Sequence, residues 1–180
     1  MKRLYLPLIL FLFMVLEGVA LELLPAKLVM SNSIIVPHWV FIFLAFIAVF
    51  FDEENTYYSV LYAVIFGLLI DVVYTGVLGV YMFSYTVSVY VIYGLKKMIH
   101  ANIYGTLLLG FTGVIFADLL INLIYTVVGI TDMLWADYFI YRLLPTVLAN
   151  LLFLIVLYPV FMKRLVTWRR ELLNRSSSIL

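Results

Sequence analysis

The chain has 180 residues, of which 67% are hydrophobic and only 12% charged, about half the charged fraction of a soluble domain. With a mean hydropathy of +1.18, this composition excludes a soluble globular domain and a disordered chain, and a net charge of +1 excludes a nucleic-acid footprint. The absence of cysteine removes disulfides, thiol nucleophiles and cysteine metal sites, leaving an integral membrane protein.

Crossing about 30 Å of hydrocarbon takes roughly 20 apolar residues in a helix. The first span is expected at 4–24, interrupted only by Glu17 and Glu22. Lys2-Arg3, the apolar run and Gly18-Val19-Ala20 imitate a cleavable signal peptide, but Glu17 beside the cleavage position and an apolar run continuing to Leu24 favour a retained span. The second, 34–51, is the shortest, with Pro37, His38 and Trp39 near its start and the acidic Asp52-Glu53-Glu54-Asn55 after it. From Tyr57 to Leu95 the only charge is Asp71, beside the turn signal Thr75-Gly76, which predicts spans 57–75 and 77–95 in a hairpin. Spans 103–128 and 141–162 follow, and 163–180 form a basic tail. Runs such as Leu4–Leu16 are apolar at nearly every position, without the alternation of a β-barrel strand. The expectation is an all-α bundle of six transmembrane helices in one domain, residues 1–162.

With six spans, Lys2, Arg3, Lys96, Lys97, Lys163, Arg164, Arg169, Arg170 and Arg175 share one side, and only Lys27 and Arg142 the other. The positive-inside bias puts both termini in the cytoplasm. The tail from Lys163 to Arg175, with Trp168 and Leu172-Leu173, reads either as a short helix on the inner leaflet or as an orienting signal.

Polar residues at membrane depth are costly and become candidates for function or for holding helices together. Asp118, Asn122 and Tyr125 make one stripe on the fifth span. Arg142, Thr146, Ala149 and Asn150 make another on the sixth. At 1.5 Å per residue Asp118 and Asn150 reach similar depths, so the stripes are expected to face each other, as interhelical packing or as a ligand or proton site. Asp71 is expected to pair with Arg142; Glu17 is expected to face another subunit or a bundle-internal hydrogen bond. Gly67, Gly76, Gly79, Gly110, Gly113 and Ala117 are the candidate helix-packing positions. Pro37 and Pro145 are placed near outer helix starts, and Pro159 where it bends the last span. Tyr57, Tyr58, Tyr81, Tyr104, Tyr138, Tyr141, Trp39, Trp135 and Trp168 are assigned to the interfacial aromatic belt.

The chain carries no H-E-x-x-H, no G-x-S-x-G and no glycine-rich phosphate loop. His38 and His100 are expected on opposite membrane sides. No catalytic residue, cofactor or metal is assigned, so the chain reads as a transport subunit or as a scaffold for other membrane proteins.

Several stretches resemble MreD, the rod shape-determining membrane protein family of bacteria, in its Bacillus-type form. They are Met1-Lys2-Arg3 with a proline-bearing first span, Val36-Pro37, Phe66-Gly67-Leu68-Leu69-Ile70-Asp71, Tyr74-Thr75, Leu78-Gly79-Val80-Tyr81-Met82-Phe83, and Arg142-Leu143-Leu144-Pro145-Thr146 followed by Asn150. The resemblance implies a non-enzymatic protein of the bacterial cytoplasmic membrane that partners MreC. It places the protein in a machinery with MreB filaments, RodA and a class B penicillin-binding protein that directs peptidoglycan synthesis in rod-shaped cells. It also implies a fold similar to the six-helix substrate-binding subunits of energy-coupling-factor vitamin transporters. A vitamin-binding subunit is therefore the alternative, although the first span lacks the A-x-x-x-A pattern by which such subunits dock.

Overall fold

A computed structural model describes residues 4–23, 33–99 and 101–177. Lys2, Arg3, Lys27 and His100 lie outside the described residues. The described chain forms six continuous helices, with no strand among the described residues. They are α1 Tyr5–Leu23, α2 Trp39–Phe51, α3 Tyr58–Thr75, α4 Val80–Leu95, α5 Ile103–Val127 and α6, residues 135–177. Tyr58–Thr75, Ile103–Val127 and Trp135–Asn174 are long and apolar enough to cross a membrane; α1, α2 and α4 are shorter apolar helices.

From Trp39 to Phe51 the sequence has no polar residue, so this helix can be enclosed on every side without burying a polar side chain. Residues 40–51 are all buried, and α1, α3, α4, α5 and α6 each contact α2. Neighbours in the ring are α1 with α3, α3 with α4, α4 with α5 and α5 with α6. Phe13 against Phe153 and Phe161 joins α1 to α6.

Lipid is as apolar as these side chains, so close packing rather than water exclusion must favour helix contact. Phe43 meets Phe13 and Phe161 edge-on at 5.5 and 5.0 Å, a geometry worth about 0.5–1.5 kcal/mol per pair. A Cβ on Gly67 would lie 2.6 Å from the Met82 Cα, and one on Gly113 2.5 Å from Ile92 Cδ1. One on Gly110 would meet Leu154, and Ala117 is itself buried. These four small residues close the bundle on itself. Gly76 and Gly79 act differently: with φ of 68° and 97° they turn the chain between α3 and α4, a conformation that strains any residue with a Cβ.

Three expectations change. The 34–51 stretch is helical only from Trp39, because Pro37 has no N–H and biases its predecessor away from helix. Its thirteen helical residues reach only about 20 Å. The last helix begins at Trp135, so Pro145 lies within it rather than near its start. The basic tail is not a separate helix: it continues α6 beyond Pro159, with Leu165 buried and Trp168 stacked on Tyr5 at 5.6 Å.

Candidate functional site

A helix leaves its first four N–H groups without internal partners, and each one buried unsatisfied costs about 1–3 kcal/mol. The N-terminal end of α2 faces this problem inside the bundle, and so does the non-helical segment leading to it. Glu17 on α1 accepts from the Val40 N–H at 3.1 Å. Asn150 on α6 accepts from the His38 N–H at 2.8 Å and donates to the Val36 carbonyl at 2.9 Å. The Thr146 hydroxyl accepts from the Val36 N–H at 3.1 Å. The Ile34 N–H donates to the Tyr141 carbonyl at 2.7 Å; the residue four further on, Pro145, has no N–H to claim that carbonyl. Glu17, Thr146 and Asn150 are all buried. Irregular backbone at membrane depth requires this kind of internal satisfaction.

Asp71 does the same for α4 from across the α3–α4 turn. Its carboxylate, with no exposed surface, accepts from the N–H groups of Gly79, Tyr81 and Met82 at 2.9, 2.8 and 3.1 Å. The expected Asp71–Arg142 pair is not formed, because Asp71 is occupied by these amides and Arg142 lies beside Asp118.

A different kind of site surrounds Asp118. Its carboxylate accepts from the Tyr138 hydroxyl at 2.7 Å and from Arg142 Nη2 at 3.3 Å, and lies 3.4 Å from His38 Nε2. His38 Nδ1 is 2.8 Å from the Tyr85 hydroxyl. Side chains from α4, α5, α6 and the segment before α2 thus meet around one buried carboxylate, with His38 and Asp118 at 0% exposure and Arg142 at 14%. A buried charge is tolerated when paired and hydrogen-bonded in this way. Asn122 Oδ1, Arg142 Nε and, on α4, Ser84 Oγ are buried polar atoms without a hydrogen-bond partner.

The two polar stripes read from the sequence face each other as expected and meet at Arg142 and Asp118, whereas Asp118 and Asn150 do not touch. His38 bridges them: its backbone binds Asn150 and its ring binds Asp118. Sequence reasoning weighed His38 only as a metal ligand. The signal for it was a polar Pro-His pair at the head of a run otherwise too short to span. Tyr138 and Tyr81 are buried and belong to the bundle interior rather than the aromatic belt. Glu17 is buried and makes a hydrogen bond within the bundle, to Val40.

At the opposite end of α2, Lys96 Nζ donates to the Ala48 and Asp52 carbonyls at 2.7 and 2.8 Å, covering the last turn. The Asp52 carboxylate accepts from the Tyr58 and Ser59 N–H groups, each at 3.0 Å, and from the Ser59 hydroxyl. Burial pushes the Lys96 ammonium down to about 8, with Asp52 opposing and Arg169 and Lys97 reinforcing the shift. Burial also pushes the Asp52 carboxyl above its usual range, against the hydrogen bonds from Ser59.

Comparison with known proteins bears on what such a bundle is for. The model of the family described as rod shape-determining protein MreD matches residues 2–167. Over 172 residues the chain is 26% identical to the rod shape-determining protein MreD of Bacillus subtilis strain 168, covering 96% of this chain and 98% of that protein. No solved structure matches. A match over nearly the whole length, to a helical bundle apolar enough for a membrane, leads to one conclusion: the chain belongs to the MreD family of membrane proteins and has its role in rod shape determination.

Proposed function

We propose that the chain is a non-enzymatic scaffold of the bacterial cell-elongation machinery, binding MreC in the plasma membrane and supporting peptidoglycan synthesis. In this reading all six helices span the membrane as one domain over residues 1–162, and both ends and the 163–180 tail are cytoplasmic. Nine Lys and Arg on that side against two on the other support the orientation. RodA, a class B penicillin-binding protein and MreB filaments are the further partners.

One observation carries the reading. Glu17, Asp71, Thr146 and Asn150 hydrogen-bond the chain's own backbone, and Asp118 and Arg142 bind each other. The intramembrane charges hold the bundle together, and the surface left for partners is apolar, such as Leu61, Ile65 and Leu68 on α3 or Leu148, Leu152 and Ile155 on α6. A partner's transmembrane helix would pack on such a face by dispersion in competition with lipid.

Affinity purification of the tagged chain from its native membrane in mild detergent, followed by mass spectrometry, tests this. The expected companion is an MreC-like protein with one transmembrane helix and a large external domain. Recovery instead of a transporter ATPase pair with its membrane coupling subunit would overturn the scaffold reading in favour of vitamin transport.

A further inference from the structure

Where the 52–57 and 96–102 connections meet the far part of α6, the chain forms an open cavity of about 670 Å³. A second cavity of about 240 Å³ adjoins it, sharing Glu53, Thr56, Arg169 and Leu173 as walls. Four cations line the larger one: Lys96 and Lys97 after α4, and Arg169 and Arg170 on α6. Asp52 also borders it, but its carboxylate is held inward by Tyr58 and Ser59. Lys96 is likewise held, by the Ala48 and Asp52 carbonyls, which leaves Glu53 and Glu54 facing a ligand against Lys97, Arg169 and Arg170. The smaller cavity is walled largely by Phe51, Tyr58, Leu172 and Leu173.

A ligand that fits needs an anionic group for the cations, a hydrogen-bond donor for the glutamates and an apolar tail for the second cavity. We propose that this pair of cavities binds a glycerophospholipid of the inner leaflet, with its phosphodiester at Lys97, Arg169 and Arg170. Its ethanolamine ammonium or glycerol hydroxyls face Glu53 and Glu54, and the start of an acyl chain enters the apolar cavity. Free inorganic phosphate matches less well, since it leaves the glutamates and the apolar cavity without a counterpart. The side of the membrane rests on the six-span orientation proposed above. Basic pockets at the cytoplasmic ends of transmembrane helices are a common way to hold lipid headgroups.

The test is native mass spectrometry of the full chain released from nanodiscs containing phosphatidylethanolamine, phosphatidylglycerol and phosphatidylcholine. One ethanolamine or glycerol lipid should remain bound in preference to the choline lipid, whose methylated ammonium cannot donate. Combining Lys97→Gln, Arg169→Gln and Arg170→Gln should lower the retained fraction by about fivefold per charge removed. Lys163→Gln with Arg164→Gln, exposed tail cations outside the cavity, should leave it unchanged. Glu53→Gln with Glu54→Gln should erase the preference over the choline lipid. Equal retention in the triple variant and the tail control would overturn the proposal, as would no retained lipid, or inorganic phosphate displacing the lipid completely. Thermal melts identify a variant that fails to fold, and Arg170→Gln alone, on an exposed residue, then carries the comparison. The orientation is judged separately. The chain has no native cysteine, so Glu54→Cys in sealed vesicles reports its side by labelling with an impermeant maleimide.

Discussion

The two ends of α2 pose one physical problem and solve it differently. At its N-terminal end the unpaired amides and the segment before them are buried, and the partners are side chains on other helices: Glu17, Thr146 and Asn150. At its other end the last carbonyls are met by a lysine ammonium at the edge of a wide polar cavity. Inside the bundle no water can replace a lost partner; beside the cavity it can. Membrane depth, rather than hydrogen-bond count, therefore sets how much each residue matters.

The largest effect is expected from Asn150→Leu, which strips partners from the His38 N–H and the Val36 carbonyl at once. At about 1–3 kcal/mol per buried orphan, the bundle should lose roughly 2–6 kcal/mol, read as loss of monodisperse protein or a lowered melting midpoint in detergent. Asn150→Asp keeps the acceptor but not the donor and should fall between. Glu17→Leu removes the acceptor for the Val40 N–H and should rank next, at about 1–3 kcal/mol. Glu17→Gln keeps a carbonyl oxygen in place and should recover most of the loss. If Glu17→Gln were as damaging as Glu17→Leu, a charge-dependent role would replace the backbone-capping one.

Much of this was legible in the residues. The helical class, the hairpin around Asp71 and the polar character of positions 118, 142, 146 and 150 all follow from long apolar runs and the price of burying charge. The centrality of α2 was not legible, since a run with no polar face is equally at home in lipid. Nor was partner choice. Asp71 and Arg142 are both charged and both expected near the same ends of their spans, so pairing them is reasonable from one sequence. The structure gives Asp71 to three backbone amides because the glycines at 76 and 79 fold the start of α4 back onto it. Likewise, nothing local marks Pro145 as the reason the Tyr141 carbonyl reaches Ile34, a contact over a hundred residues away in sequence. Local composition reveals which groups need partners, and tertiary packing decides which partners they get.

The smallest effect expected lies at the cavity end and has a pH signature. Lys96 sits at about 8 in the folded chain against its usual 10.5. Between those values the unfolded chain binds more protons, so stability rises with pH across that window and is lowest below it, where the ammonium is charged in both states. Detergent-solubilised protein should therefore melt later as pH is raised from about 8 towards 10. Lys96→Met should abolish the rise while costing little at neutral pH, because water in the cavity can take over the Ala48 and Asp52 carbonyls. Arg169→Gln gives the finer test. Removing that neighbouring cation relieves part of the pressure on Lys96 and should shrink the rise without eliminating it. An unchanged slope in Lys96→Met would assign the pH dependence to other groups and leave the two ends of α2 distinguished by depth alone.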